Sequence, residues 1–334
     1  MTADLDVVTA VAETADGILG GEGRTESTVD AGWAGSAWHK LAASGLVRLG
    51  VPEQHGGSGG GVAEAAAVIR AAAAHAASMP IVESTLLAGW LAGCGPFAVP
   101  DGVLTVGVAG EPVPWGSVAE QVLVADTTTL RLVPAAVARW SAERNLAGEP
   151  RDQATIPEQA GDVVAALTGD AVTRLRLLSA LGRSVQIAGA AEAVLDLSVT
   201  YVRERVQFGK PLARQQAVQQ MLARLAGETV AAGAAADAAV SAVERHGIGS
   251  LRGEFAVAAA KTRCGEAAGA VARLAHQLHG AIGLTEEYAL GAFTMRLWSW
   301  REEAGTAGFW ADWLGRRAVR LGPDALWDLI AEGG

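Results

Sequence analysis

The side chains best placed for chemistry lie in Tyr201–Val218, YVRERVQFGKPLARQQAV. A guanidinium at Arg205 offers a planar fork of donors that matches the oxygens of a phosphate. A helix starting just beyond Pro211 would add backbone N–H groups with no partner of their own. Together they could grip an anion, although the same residues also describe a solvated arginine beside a turn. His276 and His279 share one helix face, as metal ligands can, but no further ligand follows at a typical spacing. Packing and hydrogen bonding are therefore expected of them, and no metal. Cys264 lies among Ala and Gly with no matched His or Asp and reads as a structural thiol. The glycine run at 55–61, HGGSGGG, lacks the G-x-x-x-x-G-K-[ST] pattern of a phosphate cradle and reads as a tight turn between helices. Trp298, Trp300, Trp310 and Trp313 read as core or subunit-interface anchors.

The elements that must position these residues fall into three stretches. Residues 1–100 read as a helical domain: Trp38, Leu41, Leu46 and Leu49 have roughly helical spacing, and a second helix is expected over Val62–Ala77, ending near Ser78-Met79-Pro80. Residues 101–159 change character to short Val- and Leu-rich runs, 103–110, 121–126 and 130–137, punctuated by Pro, Gly and Asp, and read as a small β domain. Residues 160–334 are helical again. Four helices are expected at about 164–203, 213–246, 251–281 and 285–320, with turns at Gly247-Ile248-Gly249 and Gly283, packed as an antiparallel bundle. The fold class expected is mainly α with a small β middle domain.

A chain of 334 residues with 50% apolar composition builds a sizeable core. Its net charge of −10, with Lys and Arg scattered, argues against a nucleic-acid partner. Two cysteines make no disulfide framework, and MTADLDVVTAVAETADGI has no charged n-region ahead of an apolar one. The apolar stretch Ala65–Gly93 is interrupted by Arg70, His75, Pro80 and Glu83. A cytoplasmic protein without a membrane partner is expected.

Two further strings give the reading a direction. Gln277–Thr306, QLHGAIGLTEEYALGAFTMRLWSWREEAGT, resembles without a gap the C-terminal flavin and catalytic segment of the acyl-CoA dehydrogenases, Q-x-x-G-G-x-G, E-Y-P and Y-E-G-T. GLVRLGVPEQHGGSGGG resembles that family's N-terminal signature, and Tyr201–Val218 resembles its Y-x-x-x-R-x-x-F-G segment. The resemblance implies an acyl-CoA dehydrogenase-like fold: an N-terminal helical domain, a truncated β domain and a C-terminal four-helix bundle. It also implies that Arg205, Phe208 and Gln216 meet the pyrophosphate and adenine end of FAD, joined by Gln277, Gly280 and Ala281. Ala281 stands where the family has a second glycine, and Met295-Arg296 where it usually has Arg-Asp.

The same resemblance marks what is gone. The family's catalytic glutamate, which takes the α-proton of the acyl-CoA thioester, falls on Ala304, and a methyl group cannot accept a proton. The alternative base position of some members falls on Ser179. Glu303, next to Ala304, should point elsewhere. The strings T-E-P-x-x-G-S-D and W-I-[ST], which hold the flavin ring in the family, are absent. The chain thus keeps the share that a neighbouring subunit contributes to FAD and lacks the share of the subunit that owns it. That division resembles the small subunit of actinobacterial α2β2 enzymes acting on steroid side-chain CoA thioesters. It implies an FAD shared with a full-length paralogue, which binds most of the acyl-CoA substrate. The alternatives are a homomeric flavoprotein with altered chemistry, or a helical interaction protein without flavin.

Overall fold

Alanine-rich runs with few breakers dominate both ends of the chain, and both ends are helical. In the computed structural model, which describes residues 5–21, 33–207 and 209–331, α1 (Leu5–Gly21) and α2 (Gly35–Ala43) precede α3 (Val62–Ala74). The helix expected to reach residue 77 thus ends three residues earlier. A π-helical turn over Glu83–Leu87 leads into α4 (Ala88–Ala92). The glycine loop before α3 spends its donors internally: the N–H groups of Gly56, Gly57, Ser58 and Gly59 donate to the carbonyls of Glu53, Pro52, Arg48 and Val51. The start of α3 is covered by Glu64, which accepts from the Gly61 N–H at 2.7 Å, and by Glu244 of the C-terminal bundle, which accepts from the Val62 N–H at 2.6 Å. These carboxylates satisfy donors that a helix start leaves open.

The middle layer holds seven short strands, β1 (Leu104–Val108), β2 (Val113–Pro114), β3 (Gln121–Ala125), β4 (Thr129–Pro134), β5 (Arg139–Ser141), β6 (Arg151–Thr155) and β7 (Asp162–Ala166). One sheet runs in the order β1-β3-β4-β7, with β1 parallel to β3 and the other pairs antiparallel; a second runs β2-β6-β5. The turn from β3 to β4 is fixed by Asp126, whose Oδ1 accepts from the N–H groups of Thr128 and Thr129, both at 2.7 Å. Val113, Val122, Val124 and Val133 form a small core of their own between the sheets. A helix was expected from about residue 164, but Val163-Val164 belong to β7, paired with β4, and the helix begins at Ala171 after Thr168-Gly169-Asp170.

The C-terminal bundle contains α5 (Ala171–Glu204), a two-strand hairpin of β8 (Val206–Gln207) and β9 (Lys210–Pro211), α6 (Gln216–His246), α7 (Leu251–His279), α8 (Leu290–Glu302), α9 (Ala307–Leu321) and α10 (Pro323–Ala331). By length and composition α5 could cross a bilayer; here it is the central helix, packed on α3, α6, α7 and α8. Gly189 permits the approach of α3, since a Cβ there would lie 2.4 Å from the Arg70 carbonyl oxygen. The single helix expected over 285–320 is in fact two, α8 and α9, and the break between them falls at Ala304.

Candidate functional site

The break is a built feature. Ala304 has φ of +53° and Gly305 φ of +94°, so the chain passes through two left-handed residues before Thr306 caps α9 by accepting from the Phe309 N–H at 3.1 Å. The carbonyls that α8 leaves open are met by side chains. Lys261 of α7, fully buried, donates through Nζ to the Arg301 and Gly305 oxygens at 2.8 and 2.9 Å, and Trp310 Nε1 donates to the Ala304 oxygen at 2.8 Å. Burial pulls the Lys261 ammonium down to about 8, with nearby Glu303 opposing the shift. The backbone shape of this turn is therefore held firmly although its central side chain is a methyl. Ala304 and Ser179 line one cavity of about 260 Å³, together with Leu87, Val106, Leu175 and a charged wall.

That wall is a buried ion network. Glu303 Oε1 accepts from Arg151 Nε at 3.0 Å and from Asn145 Nδ2 at 2.8 Å, and its Oε2 accepts from Arg151 Nη2 at 2.8 Å. Arg183 Nε lies 2.8 Å from the same Oε2, while Arg183 Nη2 donates to Glu83 Oε1 at 2.9 Å. Glu149 Oε2 accepts from Arg151 Nη2 and from Trp300 Nε1, both at 3.0 Å, and Arg296 Nε lies 3.4 Å from Glu149 Oε1. Three carboxylates thus face three guanidiniums, drawn from the turn before α4, the β layer, α5 and α8. Burial alone would raise the Glu303 carboxyl; Arg151 and Arg183 outweigh it and hold the group down to about 2. A carboxylate so depressed, with both oxygens engaged, is a poor general base near neutrality.

The sign of that shift gives a stability prediction. Glu303 has a lower pKa folded than its ordinary value of about 4.5, so its contribution is present above that value and is lost as pH falls toward 2. The thermal midpoint should drop as pH is lowered from about 5 to about 3, and drop less steeply in Glu303→Gln. Equal slopes for the two proteins would contradict the assignment.

The phosphate-gripping candidates lie elsewhere. Arg205 follows the last residue of α5, its N–H donating to the Tyr201 oxygen at 2.9 Å, and its own carbonyl accepts from the Leu212 N–H at 2.9 Å, which closes the β8–β9 hairpin. Gln216 is the first residue of α6, and Gln277, Gly280 and Ala281 lie at the end of α7 and in the following 3-10 turn; all five are exposed. Phe208 lies outside the described residues. Tyr201 joins the two segments: its ring stacks on His279 at 4.5 Å between centroids, and its hydroxyl donates to the His279 oxygen at 3.2 Å. Among the described residues Arg205 makes no side-chain hydrogen bond or ion pair, and a Cβ on Gly280, whose φ is +63°, would meet nothing within 4 Å. An exposed fork and an open, left-handed backbone, on segments joined by Tyr201 and His279, suit a phosphate-bearing group.

The structure does not bring these residues to the Ala304 turn. Ser179 and Tyr201 sit on the same straight element, separated by 22 positions, or roughly 33 Å at 1.5 Å per residue. The histidines are engaged in packing: His276 Nε2 lies 3.0 Å from Thr294 Oγ1 with its ring stacked on Trp298, and His279 Nδ1 donates to the Ala275 oxygen at 2.8 Å. Burial lowers the pKa of both. Cys264 is buried with its Sγ 3.4 Å from the Ala232 oxygen, and burial pushes its thiol up to about 12, as suits a structural thiol. Sequence reading missed the ion network. Its one local signal is a lone charge inside an apolar helix, Glu83 in IVESTLL and Arg183 in LLSALGRSVQIAG.

Comparison with known proteins places this geometry. The model of the acyl-CoA dehydrogenase C-terminal domain matches residues 172–318, and that of the N-terminal domain matches residues 20–99, together about two thirds of the chain. The chain is 29% identical over 284 residues to the acyl-CoA dehydrogenase IpdE2 of Mycobacterium tuberculosis, covering 82% of this chain and 83% of that one. Alignments with three curated relatives at 34–39% identity span only about a third of those proteins' length, 27–34%. Among solved structures, a chain of the ChsE4-ChsE5 complex from Mycobacterium tuberculosis superposes with a TM-score of 0.83 at 23% identity, over 96% of this chain and 99% of that one. A variant of the Tcur3481-Tcur3483 steroid ACAD gives 0.78 at 24% identity, over 98% of each chain. These structural likenesses establish the fold.

Proposed function

Because this chain belongs to the acyl-CoA dehydrogenase family, we propose that it is the half-site subunit of a heteromeric, FAD-dependent acyl-CoA dehydrogenase. It lends Arg205, Gln216, Gln277 and the Gly280-Ala281 backbone, with Phe208, to the far end of a cofactor owned by a full-length paralogue. The observation that carries this reading is the separation along α5. Tyr201, at the anion-gripping end, lies 22 positions or roughly 33 Å along α5 from Ser179, which lines the Ala304 cavity, so the two ends face different sites. At the Ala304 turn both family base positions lack a carboxylate: Ala304 is a methyl and Ser179 a hydroxyl. Glu303 is tied to Arg151, Arg183 and Asn145, and Glu83, also in the cavity lining, is paired with Arg183 through Oε1. Bound FAD supplies the hydride acceptor, and the partner supplies the carboxylate that takes the α-proton. Likeness to chains of the ChsE4-ChsE5 complex and of the Tcur3481-Tcur3483 steroid ACAD supports a paired assembly in the α2β2 manner, and a bulky, steroid-like acyl-CoA as substrate.

Within such a complex, Arg205 contributes a charge-assisted hydrogen bond to the pyrophosphate, worth roughly 1.5–3 kcal/mol. Arg205→Ala should therefore speed FAD loss about 10–100-fold, at 1.4 kcal/mol per decade, while the complex still assembles. Arg205→Lys should restore part of the retention, since a point charge lacks the planar fork. Flavin fluorescence after dilution of the purified complex reads both. Unchanged FAD retention in Arg205→Ala would favour a scaffold that has lost its use for flavin.

A further inference from the structure

We propose that the Glu83–Arg183–Glu303–Arg151–Glu149–Arg296 network seals this chain's own cavity beneath Ala304 against an acyl thioester, and so determines which subunit of the complex receives the substrate. The inference rests on the half-site reading and adds to it the residues that close the pocket. The cavity has the right address, since it holds both Ala304 and Ser179, yet its volume of about 260 Å³ falls below the roughly 300–1,000 Å³ usual for ligand pockets. Its lining combines apolar Leu87, Val106 and Leu175 with charged Glu83, Arg151, Arg183 and Glu303. An acyl chain entering there would lay methylene groups against buried charges, among them Glu83, whose Oε1 is held by Arg183. It could open space only by separating partners at 2.8–3.0 Å, leaving an uncompensated buried charge.

The network also fixes the layers that would have to part. Glu83 sits in the π-helical turn before α4, Glu149 and Arg151 in the β layer, Arg183 on α5, and Arg296 and Glu303 on or beside α8. Arg183 is 4% exposed and Arg296 1%, so the cluster is a seal beneath the cavity and no surface rim. Loss of the base at Ala304 and closure of the pocket then belong together: the subunit neither holds nor processes the thioester.

The test uses the full chain and a photoreactive probe, octanoyl-CoA carrying a terminal diazirine, with labelled peptides mapped by mass spectrometry. The parent should show no label in 104–114, 175–183 or 303–304. A charge-balanced replacement, Glu83→Leu with Arg183→Met, removes the Arg183 pairs with Glu83 and Glu303 while Glu303 keeps Arg151 and Asn145, and should gain label in those peptides while melting cooperatively. Should that variant fail to fold, Arg151→Met with Glu303→Leu opens the same wall from the other side, and the parent result decides by itself as well. Label in the parent cavity overturns the seal, as does a folded, opened variant that stays unlabelled. Flavin content is read on the same samples. Parent label on a flavin-free chain defeats the seal alone, whereas stoichiometric flavin on the lone chain defeats the half-site reading whatever the label does.

Discussion

Glu303→Ala is expected to destabilise the fold by about 3–5 kcal/mol, one of the largest single effects available in this chain. The substitution strips Arg151 of two hydrogen bonds and leaves Arg183, 5% exposed at its side chain, with Glu83 and Gln186 only. Two guanidiniums are then under-paired in the interior, and the cost is dominated by their desolvation rather than by the lost attraction. Arg151→Ala should also be destabilising, since it takes two hydrogen bonds from Glu303, leaving it Arg183 and Asn145, and one from Glu149. By contrast, Glu83→Leu with Arg183→Met should lie within about 2 kcal/mol of the parent, because hydrophobic replacement of a buried pair is often neutral and Glu303, which loses Arg183, keeps Arg151 and Asn145. Urea denaturation read from the midpoint at constant slope distinguishes these outcomes. If Glu303→Ala melted like the parent, the network would be an incidental contact.

Ala304→Glu should create no second active site. The cavity this position faces has its guanidiniums, Arg151 and Arg183, already paired with Glu83, Glu149 and Glu303, and the groups suited to FAD lie at the other end of α5, where Tyr201 is roughly 33 Å from Ser179. In the co-expressed complex, removal of the partner's carboxylate base should cost about 10²–10⁴-fold or more in turnover, and Ala304→Glu should not restore it. Turnover that survived loss of the partner's carboxylate, and then fell in Glu303→Gln, would assign the base to this chain. Dehydrogenation of an acyl-CoA followed with an artificial electron acceptor is the readout.

Much of this was legible in the sequence because motifs are local. The cofactor candidates Arg205, Gln216, Gln277, Gly280 and Ala281 sit in two short strings, and the structure places both strings at one end of the bundle, joined by Tyr201 and His279. Their engagement of FAD is a matter for the experiments above. The expected helix-sheet-helix order follows from composition and periodicity, and the fold has it. Boundaries failed where two states share one composition. Val163-Val164 lie in an apolar run separated from α5 only by Thr168-Gly169-Asp170, and pairing with β4 makes them a strand. The α8–α9 break was hard to read because LWSWREEA, residues 297–304, contains no proline or glycine and Gly305 is its one local stop signal, while the turn is held by Lys261 and Trp310 from outside the segment. The ion network was least readable of all. Its members come from residues 83, 145–151, 183 and 296–303, and a buried charge pair is a property of packing that no single segment displays.

The most direct test of the half-site account is the ratio of flavin to polypeptide. Each chain lacking the ring-holding strings and the base should own no FAD, so this chain purified alone should be colourless, and exposure of the face that meets its partner should make it prone to associate. Co-purified with its full-length paralogue, it should give a yellow complex containing one FAD for each pair of unlike chains, measured by flavin absorbance after denaturation against quantitative amino-acid analysis. One FAD per copy of this chain, bound in the absence of any partner, would contradict the account and make the protein a homomeric flavoenzyme.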